Sequence, residues 1–154
     1  MRFLGTDRVR HAALGPAQPG RSSVAVAGAA GEVEGLVLEA VALLDAQDPI
    51  PGYLFFLTDD VPFEDALSIT LTDPALRILD TARLGGAYAT GAWRDPAIDG
   101  PGRLSFRFID EKRWRLRVLP RPGPRLPFLS EPRGVHRPLG LTRHFVLAAG
   151  PEGG

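Results

Sequence analysis

The chain has 154 residues, enough for one domain with its own core, and its 44% hydrophobic and 23% charged content excludes a disordered chain. It contains no cysteine, which excludes disulfides, thiolate metal sites and a cysteine nucleophile. Net charge is zero but segregated. Four arginines against Asp7 give residues 1–31 a charge of +3, thirteen acids against three arginines give 32–100 a charge of −10, and ten arginines with Lys112 against four acids give 101–154 a charge of +7.

Such segregation can be satisfied by salt bridges within one domain, by a second copy or by a partner surface. Seventeen arginines stand against one lysine, and Ala, Gly and Pro are abundant. This is the pattern of a GC-rich bacterial coding sequence, so a single arginine carries little functional weight. No apolar run reaches the roughly 18–20 residues of a membrane helix. Met1 to Asp7 lacks the apolar stretch and cleavage site of a signal peptide, so a cytoplasmic protein, or part of a particle assembled in the cytoplasm, is expected.

In chain order, residues 1–22, with Gly15-Pro16 and Pro19-Gly20, read as an extended arm. Ser23 to Gly28 reads as a short strand. Residues 33–44 place apolar side chains at 33, 36, 37, 40, 41 and 44, the stripe of an amphipathic helix. Gly35 and the near-continuous apolarity fit a buried strand equally well. Gly52 to Thr58 reads as a buried strand and Leu67 to Thr72, alternating apolar with Ser or Thr, as a half-buried one. Asp73-Pro74 opens either a short helix closed by Gly85-Gly86 or a turn followed by a strand. Gly86 to Trp93 reads as a strand interrupted at Gly91, and Arg94 to Gly102, with two Pro, two Gly and two Asp, as a loop.

The best-defined unit is a hairpin. Leu104, Phe106 and Phe108 alternate with Arg103, Ser105 and Arg107; Trp114, Leu116 and Val118 alternate with Arg113, Arg115 and Arg117. A one-residue slip would turn arginines onto the core, which fixes the parity of the pairing. Setting Phe108 opposite Trp114 across a short loop satisfies it. Residues 120–140 form a long Pro-rich connection stiffened toward polyproline II, either packed over a sheet edge or docked on a neighbour. Thr142 to Ala148 reads as the last strand, and 150–154 as a flexible tail.

These elements predict a mainly β domain over 23–149, a sandwich or barrel of about seven or eight mostly antiparallel strands with one or two short helices. It becomes α+β if 33–44 is helical.

Four sets of residues are candidates for chemistry. Val24 to Gly35 contains Gly28-Ala29-Ala30-Gly31, which resembles the glycine loop of short-chain dehydrogenase-like proteins. The resemblance covers about a dozen residues and implies a strand, a phosphate-cradling turn and a helix. It departs where a third glycine is wanted, at Glu34, whose carboxylate would repel phosphate. No further βαβ unit follows, so an Ala/Gly-rich turn is the simpler reading and no cofactor is expected. Asp59, Asp60, Glu64 and Asp65 could hold a cation or act as an acid/base pair, but lack the spaced ligands of a calcium loop; a solvated loop capped by Asp60 near Pro62 is simpler. His11, His136 and His144 show no metal-ligand spacing, and no metal is expected.

The arginine ladder is the most specific feature. Arg103, Arg107, Arg113, Arg115 and Arg117 project from one hairpin face. Like charges facing one another are unfavourable, so acidic groups should lie close by. Their expected role is partner binding, with protein favoured over nucleic acid. The pI is near 6.8 rather than above about 9, and Phe106, Phe108 and Trp114 face away from the arginines. The reading taken is a non-catalytic structural or interaction module of a larger assembly, such as a phage-like particle or a bacterial injection machine. The alternatives are an enzyme or small-ligand binder with a pocket at one end of the sheet, using Asp59, Asp60, Glu64, Asp65 and His136, and a nucleic-acid binder using the arginine face.

Overall fold

The computed structural model describes residues 1–61, 65–85, 91–109, 112–125, 131–138, 140 and 142–150. Among them the strands are β1 (Arg2–Leu4), β2 (Arg10–Ala13), β3 (Arg21–Val26), β4 (Ala29–Glu34), β5 (Val37–Leu44), β6 (Gly52–Thr58), β7 (Leu67–Thr72), β8 (Ile78–Leu84), β9 (Gly91–Gly100), β10 (Arg103–Ile109), β11 (Arg113–Pro124), β12 (Val135–His136) and β13 (Thr142–Gly150). They form three antiparallel sheets ordered β1-β5-β6-β7-β8-β12, β13-β11-β10-β9 and β2-β3-β4. The fold is mainly β, as expected. The described strands number thirteen rather than seven or eight, and the only helical piece among the described residues is the 3-10 turn Thr6–Arg8.

The six-stranded sheet lies between two cores. On one side Leu54, Phe56, Ile69 and Ala82 pack with Leu104, Phe106, Trp114, Leu116 and Phe145 of the four-stranded sheet. On the other, Val41, Phe55 and Leu57 pack with Val24, Val26 and Val33 of the three-stranded sheet. Covering both faces explains why β6 is apolar at nearly every position and wholly buried. All six residues of β7 are buried too, so Ser68, Thr70 and Thr72 lie under the second layer rather than in solvent.

The same burial resolves residues 33–44. They end β4 and form β5, which sends Ala40, Ala42 and Leu44 into one core and Val41 into the other. The helix and the α+β alternative are therefore overturned. Gly35 makes the corner between the strands: its φ is +104°, and a Cβ there would stand 2.4 Å from Leu57 Cβ. After β7, Asp73 accepts the backbone N–H groups of Ala75 and Arg77 at 3.0 and 2.9 Å. Asp73-Pro74 thus makes a turn into β8, not a helix.

Arg94 to Gly102, expected as a loop, is mostly the second half of β9. This strand is the sheet edge, where Pro96 costs no ladder bond to a further strand and shifts in register are tolerated. The Pro-rich connection is also partly sheet. After an irregularity between Val118 and Gly123, β11 pairs again with β13, Gly123 opposite Arg143. Buried Arg125 then donates to the carbonyls of Pro138 and Gly140, both at 2.7 Å. Residues 1–22 supply β1, paired to β5, and β2, paired to β3. Residues 86–90, 126–130 and 151–154, parts of the expected strand, connection and tail, lie outside the described residues.

Asp48 fastens the turn after β5 to the turn before β10. Its carboxylate accepts the N–H groups of Gly102 at 2.6 Å and Asp45 at 2.8 Å, and meets the Met1 ammonium at 2.8 Å. Burial pushes its pKa up, but the Met1 ammonium and the two N–H groups outweigh this and hold it below the usual aspartate value. A depressed folded pKa stabilises the protein above the unfolded value, and that contribution is lost as pH falls through the folded one. Asp48→Asn should therefore lower thermal stability most above about pH 5, with the gap to wild type closing below about pH 4.

Candidate functional site

The hairpin of β10 and β11 sets Arg103 opposite Arg117, Ser105 opposite Arg115 and Arg107 opposite Arg113. Leu104 faces Leu116 and Phe106 faces Trp114 in the core. The parity is the expected one, but Trp114 pairs with Phe106 rather than Phe108. The five arginines do share the outer face.

The neighbouring strands widen this face. On β9, Trp93 stacks on Phe106 at 4.9 Å and meets Phe56 at 4.7 Å, so it points into the core. The next residue, Arg94, turns outward opposite Arg107. One row across three strands therefore reads Arg94, Arg107, Arg113. On the far side, β13 sets Val146 against Arg117 and Ala148 against Arg115. These small side chains leave a groove of about 500 Å³ whose charged lining is Arg103, Arg113, Arg115, Arg117 and Asp99. Four cations against one acid leave the groove strongly positive.

Among the described residues, β9 brings acids near the ladder. Asp95 Oδ2 lies 3.6 Å from Arg107 Nε, and the Asp95 carbonyl accepts Arg113 Nη2 at 3.0 Å. Arg113 Nε also donates to Ser105 Oγ at 3.0 Å. The Asp95 side chain is 68% exposed, so water and salt weaken its pull. Arg94, Asp95 and Asp99 were hidden from the sequence reading by the Pro and Gly around them; the signal that could have found them is the Trp93/Arg94 alternation carried into 94–100.

The other candidates resolve differently. Gly28-Ala29-Ala30-Gly31 forms no phosphate loop. Ala27 and Gly28, with φ of 49° and 82°, make a two-residue hairpin turn between β3 and β4, and Val26 pairs with Ala29. A strand, not a helix, follows, so the dehydrogenase-like reading is overturned. Asp59 is buried and ion-paired with Arg83, and its N–H donates to Asp65 Oδ1 at 2.9 Å. Asp60 is exposed in a left-handed conformation; Pro62 and Glu64 lie outside the described residues.

His11 Nε2 lies 3.1 Å from Ser22 Oγ, the His144 backbone donates to Asp80, and His136 pairs across strands with Arg83, so the three histidines stand on separate elements. Among the described residues no group of three His, Asp or Glu side chains could hold a metal, and no helix is long and apolar enough to cross a membrane. Comparisons with protein-family models, curated proteins and solved structures return no match.

Proposed function

We propose that this chain is a non-catalytic interaction module whose arginine face holds an acidic segment of a protein partner within a larger assembly. The observation that carries the reading is the row Arg94–Arg107–Arg113 beside the pair Arg103–Arg117: cations stand directly opposite one another on a face that forms a concave groove. Cross-strand like charges weaken a sheet unless something neutralises them. Arginine pairs bidentately with carboxylates, which suits an acidic peptide lying along the groove. Protein is favoured over nucleic acid because the aromatic side chains beneath the face are buried in the core and offer no stacking surface to bases.

The test is fluorescence anisotropy with a labelled oligo-glutamate peptide and a single-stranded oligonucleotide of equal charge. The peptide should bind more tightly, and Arg113→Gln/Arg115→Gln/Arg117→Gln should weaken it at least tenfold, corresponding to about 1.4 kcal/mol. Tighter binding of the oligonucleotide, with affinity falling steeply in salt, would replace this reading with the nucleic-acid one.

A further inference from the structure

A second concave site lies away from the arginine face, lined by residues of both the three-stranded and the six-stranded sheet. Its volume is about 280 Å³, near the lower end of the range for small-molecule sites. Its floor is a row across three strands, Ser68 on β7, Arg83 on β8 and His136 on β12. Arg21 and Glu34, from the three-stranded sheet, form the opposite wall, and Ile78 gives an apolar side.

The polar groups of this cleft are mostly donors. Ser68 is 1% exposed, and its hydroxyl has no hydrogen-bond partner among the described residues. Buried hydroxyls are rarely left so, because the lost hydration is not recovered. Arg83 engages Asp59 through its two terminal nitrogens, and Arg21 engages Glu34 through one, at 2.7 Å. A guanidinium has five N–H donors, so both keep donors to spare. Glu34 is the one carboxylate in the lining. The missing complement is therefore an acceptor group, and the Ile78 side calls for an apolar body.

We infer that this cleft binds a small amphipathic carboxylate, its oxygens toward Ser68 and Arg83 and its apolar end along Ile78. This site is independent of the arginine face. Octanoate titrated into the 15N-labelled chain, followed by NMR, should give saturable amide shifts centred on Ser68, Arg83 and His136. Octanamide, lacking the charge, should bind at least tenfold more weakly. Ser68→Val, which removes the hydroxyl and narrows the floor, should abolish the saturable shifts.

Ile78→Trp, at a half-exposed position that tolerates a large side chain, should block the cleft without touching a buried group, and so serves if Ser68→Val misfolds. Arg113→Gln/Arg115→Gln/Arg117→Gln should leave octanoate binding unchanged. The inference is overturned if octanoate gives no saturable shifts, if octanamide binds equally well, or if the shifts gather on residues 103–117 instead.

Discussion

Arg137→Met is expected to destabilise the protein by about 3–5 kcal/mol, the cost of leaving buried charges without their partner. The Arg137 side chain is 1% exposed. It pairs with Asp80, donates to the Phe145 carbonyl at 2.6 Å and lies 4.5 Å from the centre of the Phe145 ring. Its Nε is 2.8 Å from Glu131 Oε1, although that N–H is not aligned as a hydrogen bond. Asp80 in turn accepts the His144 N–H at 2.8 Å, and Glu131 also meets Arg143 at 3.3 Å.

One guanidinium thus joins β8, the segment that carries β12, and β13. Methionine fills a similar volume but strands the carboxylates of Asp80 and Glu131. For a domain of this size the melting temperature should fall by roughly 10 °C. Arg137→Met/Asp80→Leu should recover part of the loss, since pairs in contact are not additive. A single-variant loss below about 1 kcal/mol would mean that solvent reaches the cluster and screens it.

The hairpin was legible because one of its faces is a core and the other carries arginines. Alternation then reports both strand identity and parity, and a slip from Phe108 to Phe106 opposite Trp114 preserves both. Residues 33–44 were not legible for the opposite reason. Val41 and its neighbours Ala40 and Ala42 enter different cores, so the alternation that would mark a strand is erased. β1 has three residues and β2 four, too short for a period to show.

The arginine face was therefore half visible. Its five hairpin members follow from alternation. Arg94 needed the knowledge that β9 is an edge strand able to carry Pro96. The row Ser68–Arg83–His136 spans residues far apart in sequence and exists only through the ladders β7–β8 and β8–β12. Sequence alone groups His136 with Asp59, Asp60, Glu64 and Asp65; among the described residues Asp59 reaches the row, through Arg83.

Phe106→Ala should also cost about 3–5 kcal/mol, the range for truncating a buried phenylalanine. Phe106 is fully buried, stacks on Trp93 and meets Phe56 edge-on at 5.8 Å. These three rings join the central sheet to β9 and β10, so truncation removes the packing that holds the edge strand as well as the ring's own burial. Trp93→Ala made in the Phe106→Ala background should cost clearly less than it does alone, a coupling that urea denaturation can measure. Additive losses would show that Trp93 finds other partners.

The variant also bears on the arginine face. Trp93 in the core is what turns Arg94 outward beside Arg107. Phe106→Leu, which keeps most of the volume, should retain most of the stability while loosening that stack. If Arg94 contributes to holding an acidic peptide, Phe106→Leu weakens peptide binding without removing any charge, but by less than Arg113→Gln/Arg115→Gln/Arg117→Gln. If binding is unchanged, the groove between β10, β11 and β13 acts alone and β9 only screens it with Asp95 and Asp99.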